Sequence, residues 1–117
     1  MSVADLAKVV TINHTMNETR LEPLRNRYIH LTKEQLPATA KAQGWSLRFD
    51  HCFMRVLLDH LFKDSWYNHL SRREAAYKQL SAEQLHQAIA MGEDLLERGE
   101  DYLRELNANS LRWRDKL

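Results

Sequence analysis

The sequence predicts an all-α fold: a compact single-domain bundle of five to seven helices around a central apolar helix at about residues 47–62. Three observations carry that expectation. Only three Gly and two Pro occur in 117 residues, with no Asn-Gly or Asp-Gly pair, whereas a sheet protein of this size needs such residues at its tight turns. Apolar residues recur at helical spacing along most of the chain. Four Ser/Thr-x-x-Glu/Gln boxes, at Thr15–Glu18, Thr32–Gln35, Ser71–Glu74 and Ser81–Gln84, each adjoin such a segment; a Ser or Thr caps a backbone N–H three residues on, and the Glu or Gln reaches back.

In chain order, Leu6, Val9 and Val10 have helical spacing, but the β-branched run Val9–Ile12 suits an extended arm, so residues 1–14 stay open between helix and flexible arm. A helix is expected over about 18–31, with Pro23 in its first turns or at its start. A second should run from Lys33 to Gln43, closed by Gly44 in a left-handed cap. Ser46 then caps the apolar helix that reaches about Lys63, and Asp64-Ser65 begins a break before Trp66 and Tyr67. A short helix follows over 72–80. Ala82–Arg98 is the clearest amphipathic stretch, with Leu85, Ala88, Ile89, Gly92, Leu95 and Leu96 on one face and Gly99 at its end. Tyr102, Leu103, Leu106 and Trp113 mark a last helix, with a candidate break at Asn107–Asn109 and Ser110 as a fresh cap. The expected core combines Leu47, Phe49, Phe53, Val56, Leu57 and Leu61 with Leu85, Ile89, Leu95, Leu96, Leu103, Leu106 and Trp113.

Composition narrows the function classes. Seventeen Lys and Arg against sixteen Asp and Glu leave a net charge of +1, so no global field draws the chain to nucleic acid or to an anionic membrane. Cys52 is the only cysteine; it has no internal disulfide partner, and a reducing, cytoplasmic setting follows. No apolar run approaches the roughly 20 residues of a membrane span. Met1–Asp5 lacks the basic and apolar regions of a secretory signal. No Cys/His cluster, His-Glu-x-x-His or phosphate-binding Gly loop is present, so neither metal nor cofactor is expected.

The chemistry concentrates between Trp45 and Leu70. Wound at about 100° per residue, Trp45–Phe62 is apolar around most of its circumference, as in a buried helix. Arg48, His51, Arg55 and Asp59 fall on one narrow stripe, while Asp50 and His60 fall inside the apolar arc. The plain reading is an i,i+4 Arg55–Asp59 surface pair, Asp50 serving the helix dipole and His60 in the core. The sharper reading follows from the cost of burying charge unless it is paired. On it, Asp50, His51, Arg55, Asp59 and His60 line a pocket or interface, with Trp66, Tyr67 and His69 at its mouth; Asp50 is its leading residue.

Leu31-Thr-x-x-Gln-Leu-Pro37, Asp50-His-Cys-Phe-x-Arg55 and Ser110-Leu-Arg-Trp-Arg114 together resemble short bacterial proteins grouped as GNAT-type acetyltransferase-like, over about residues 28–117. A GNAT domain is a mixed α/β fold with a Gly-rich acetyl-CoA loop. No residue of this chain matches that loop, so the resemblance implies a bacterial protein and transfers no catalytic residue. Two function classes follow from the residues. The leading one is a helical binding or regulatory protein acting through a protein partner. The other is a small enzyme or ligand-binding domain that uses the pocket residues on a small molecule. A third reading places nucleic acid on Arg72, Arg73, Arg112 and Arg114, with Trp113 available for stacking.

Overall fold

The computed structural model describes residues 21–115, and these form an all-helical fold with no strand among them. The open choice over residues 1–14 and the box at Thr15–Glu18 lie outside the described residues. Four long helices carry the architecture, with two one-turn 3₁₀ segments between them, where the sequence led us to expect five to seven helices. Helix α1 covers 21–43 and includes a π-helical turn at Leu31–Gln35 followed by α-helical Leu36–Gln43. Helix α2 is Asp50–Phe62, α3 is Ala82–Arg98 and α4 is Glu100–Trp113. The irregular strap between α2 and α3 contains the 3₁₀ turns Trp66–Asn68 and Ala76–Gln79.

The expected break between residues 31 and 33 is absent. Pro37 has no N–H to give, and its ring crowds the carbonyl four residues back. The chain answers by widening one turn, with the Leu36 N–H donating to the Leu31 carbonyl. Thr32 therefore caps nothing; its buried hydroxyl donates to the Tyr28 carbonyl at 2.9 Å. The wide turn places Leu31, Thr32 and Leu36 all in the core, a five-residue spacing that a regular α-helix would rotate apart.

Elsewhere local chemistry fixes the ends. Gly44 closes α1 at φ 71°, where the Trp45 N–H also donates to the Ala40 carbonyl at 2.8 Å. Ser46 is not the cap of α2: its N–H donates to Glu100 at 2.6 Å, and α2 starts at Asp50 behind an extended Phe49. The box at Ser81–Gln84 forms in both directions, at 3.1 and 2.9 Å. The box at Ser71–Glu74 does not, because the Ser71 oxygen accepts from Arg73 in a local turn. Helix α4 runs unbroken through Asn107–Ser110.

Helix α2 packs against α1, α3, α4 and the first 3₁₀ turn. Phe53, Val56, Leu57, Leu85, Ile89, Leu95, Leu103 and Leu106 are buried as expected. Leu47, Leu61 and Leu96 pack at its edge, and Trp113 is partly buried. Phe49 is a correction: it is 65% exposed, because the chain enters α2 there in extended form. Tyr28, Leu31, Leu36, Ala40, Trp45, Leu58 and Leu80 complete the core.

Helices α1 and α3 meet at Gly92, where an added Cβ would stand 2.4 Å from Leu31 Cδ2. Leu31 is itself buried on every side, so its methyl group has nowhere to move. Gly92→Ala should therefore cost about 1–3 kcal/mol of overpacking, read by denaturant melts. The same change in a Leu31→Ala background should cost less, since the two residues share one volume.

Candidate functional site

The fold turns one acid of α2 wholly inward. Asp59 has no exposure to solvent, and its carboxylate accepts four hydrogen bonds. Arg114 donates twice, from Nε at 2.6 Å and Nη2 at 3.0 Å. The Ser110 hydroxyl donates at 2.6 Å and the Trp66 backbone N–H at 2.9 Å. Such a bidentate, charge-assisted arrangement is the one that offsets burial of a carboxylate. Arg114 in turn lies 4.8 Å above the Tyr67 ring, and Arg72 lies 4.1 Å above the same ring. Hydrogen bonding to Asp59 holds the Arg114 guanidinium above its ordinary pKa, against the opposing effect of burial.

The expected Arg55–Asp59 pair does not form. Arg55 instead donates to Ser110 Oγ at 2.7 Å and to Asn107 Oδ1 at 2.6 Å. Ser110 thus receives from Arg55 and gives to Asp59, joining both residues through one hydroxyl. The sequence reads Asn107 as part of a helix break, Ser110 as a fresh cap and Arg114 as a nucleic-acid contact. Their actual partners lie more than fifty residues away in sequence, which no local pattern signals.

Beside this network lies a cavity of about 390 Å³. Helix α1 contributes Tyr28, Ile29 and Lys33, and α2 contributes His51, Met54, Arg55 and Leu58. The strap closes it with Trp66, Tyr67 and the segment from Glu74 to Tyr77. Tyr77 stacks on Tyr28 at 6.3 Å, and Trp66 packs on Tyr67 at 4.5 Å. Gln79 holds the strap by bonding both the N–H and the carbonyl of Ser71, each at 2.8 Å. Of the eight candidate residues, His51, Arg55, Trp66 and Tyr67 line the cavity, and Asp59 stands behind it through Ser110.

The remaining three are elsewhere. Asp50 is not inside an apolar arc: its side chain is 48% exposed and accepts from the His51 N–H at 2.9 Å, because α2 begins only there. His60 donates from Nδ1 to the Val56 carbonyl at 2.7 Å and meets Trp113 edge-on at 4.8 Å. His69 stacks flat on Phe62 at 4.7 Å and bonds Asp64 at 3.1 Å. Hydrogen bonds from the Asn68 side chain, the Ser65 N–H and His69 together hold the Asp64 carboxyl below its ordinary range. Lys33, Tyr28 and Tyr77 belong to the cavity without having been singled out in the sequence, since the contacts that assemble them are tertiary. Among the described residues no group of three His, Cys, Asp or Glu could hold a metal ion, and no helix is long and apolar enough to cross a membrane.

No family model, curated protein or solved structure matches this chain, so the GNAT-type resemblance gains no relative from these comparisons.

Removing the Asp59 charge by Asp59→Asn leaves Arg114 unmatched in a largely enclosed site, and denaturant melts should show a loss of about 3–5 kcal/mol. Asp50→Asn, at a half-exposed helix start, should cost well under about 1 kcal/mol. Equal costs would contradict this ranking of the two acids.

Burial also holds the His60 imidazole below its ordinary value near 6.5, against the pull of the Val56 carbonyl and Asp59. The unfolded chain then binds more protons than the folded one as pH falls through that value. Stability present at neutral pH is therefore lost on acidification. In His60→Phe this component disappears. The stability advantage of wild type over the variant should shrink from about pH 7.5 to about pH 5 in paired melts.

Proposed function

We propose that this chain is a small helical binding protein of regulatory kind, whose recognition element is the cavity between α1, α2 and the strap. The observation that carries the reading is the cavity itself. Its volume of about 390 Å³ falls in the roughly 300–1,000 Å³ range of small-ligand sites, which are apolar and aromatic with a few convergent polar groups. Tyr28, Met54, Leu58 and Trp66 supply the apolar wall here, and Lys33, His51 and Arg55 supply the polar groups. In this reading α2 is the hub of the bundle: its buried face builds the core, while its Met54–Leu58 turn faces the ligand. The lone thiol of Cys52 supports a cytoplasmic place of action.

A second reading takes the partner to be a protein. It is favoured by Phe49, 65% exposed beside a separate hollow formed with Pro37, Ala38, Lys41 and Arg48. Exposed aromatic side chains next to Arg are common anchors of protein interfaces.

The two readings part on one substitution. Ala76 lines the cavity from the strap and is partly exposed, so Ala76→Trp fills the cavity without opening the core. Small-molecule responses in a thermal-shift panel should vanish in this variant, with the melting temperature of the free protein held or raised. Responses that persist in Ala76→Trp but disappear in Phe49→Ser would transfer the function to the second surface.

A further inference from the structure

We infer that the cavity takes an amphipathic organic carboxylate, its apolar part among the aromatic side chains and its acid group at Arg55 and Lys33; the inference rests on the reading of this cavity as a binding site. Arg55 is the observation that points there. Its guanidinium is partly buried on α2, yet both of its bonded nitrogens go to neutral oxygens, those of Ser110 and Asn107. Among the described residues it forms no ion pair with any carboxylate and reaches Asp59 only through the Ser110 hydroxyl, whereas Arg114 nearby bonds both Asp59 oxygens directly. A partly buried guanidinium without a directly bonded counter-ion carries a desolvation cost, and an arriving carboxylate offsets that cost while forming charge-assisted hydrogen bonds.

The surroundings favour an anion over a cation. Lys33 enters the same cavity from α1 and also forms no ion pair among the described residues, and His51 adds ring nitrogens at the start of α2. Glu74, on the strap, is the one acid in the lining, so cationic groups outnumber it. The hydrogen bonds through Ser110 and Asn107 fix the guanidinium plane before any ligand arrives, which lowers the ordering needed on binding. The apolar part of the ligand is demanded by the wall, where Tyr28, Ile29, Met54, Leu58 and Trp66 offer no charge to a wholly polar anion.

The test is a calorimetric titration of the full chain with hexanoate, decanoate and phenylbutyrate, each beside its matched alcohol and amine. At least one carboxylate should bind about tenfold or more tightly than its alcohol, and its amine should bind weakest. Arg55→Gln should abolish that discrimination while leaving alcohol binding in place, and Arg55→Lys should restore part of it. Lys33→Gln, at an exposed position, should weaken the carboxylate without lowering the melting temperature, which keeps the test independent of any folding defect in Arg55→Gln. Alcohols or amines that bind as well as the acids, and are blocked by Ala76→Trp, would overturn the anion assignment but leave the cavity as a binding site. Failure of all three classes would overturn the cavity reading and this inference with it.

Discussion

A carboxylate with no access to solvent must find in the protein everything that water would have given it, and Asp59 does so with four hydrogen bonds from three residues in two separate parts of the chain. Arg114 and Ser110 belong to the end of α4, and the Trp66 N–H belongs to the first turn of the strap. Trp66 lies seven residues on and Ser110 and Arg114 more than fifty, so satisfying one charge also fixes three positions. The end of α2 is tied to the end of α4, and the strap is made to turn back at Trp66 instead of leaving the bundle. Because Trp66 and Tyr67 form a wall of the cavity, the shape of that cavity depends on an ion pair that does not itself line it.

The other fixed relation is the approach of α1 to α3. A helix carrying Pro37 in its middle would be expected to kink. Here one π turn absorbs the missing hydrogen bond and brings Leu31 and Leu36 to the same side. Gly92 then lets α3 close over Leu31. Backbone geometry in one helix and the absence of a side chain in another thus answer each other. The same stretch of α1 carries Tyr28, Ile29 and Lys33 on its cavity side, so the register that packs the core also aims the cavity wall.

The helical class could be read from the sequence, as could the limits of α3, because both depend on interactions within a few residues. Ser81 and Gln84 cap each other over three positions, and the apolar face of α3 repeats at its own period. Where the outcome depended on distant partners, the local reading failed in a consistent way. Thr32 and Ser71 match the capping pattern as well as Ser81 does, but the chain around them is committed elsewhere, by Pro37 in one case and by the Gln79 side chain in the other. Arg55 and Asp59 have ideal i,i+4 spacing, yet each finds a stronger arrangement on α4. The sequence marks Asp50 as the acid inside the apolar arc and Asp59 as one of a polar stripe with Arg55, yet Asp59 is the buried one. Which of them is buried depended on α2 starting at residue 50, and that boundary is set by the extended entry through Phe49 and by Ser46 bonding Glu100.

The strap shows why a cavity forms where it does. Residues 63–81 contain only isolated 3₁₀ turns, so their backbone groups cannot satisfy one another as a helix would and must be met from outside or by side chains. Asp59 meets the Trp66 N–H, Gln79 meets Ser71, and Arg25 donates to the Lys78 carbonyl at 3.1 Å. Leu80 anchors the far end in the core at 2% exposure. A segment held at intervals by polar bonds follows the bundle surface without packing continuously onto it, and the space left between those anchors is the cavity. Of the aromatic residues that wall the space, Trp66 and Tyr67 meet in a tilted pair and Tyr77 stacks on Tyr28 of α1. The rigid frame and the hollow beneath it are therefore products of one arrangement, in which Asp59 tethers the strap to α2 at Trp66 and Leu80 anchors its far end, with the cavity between.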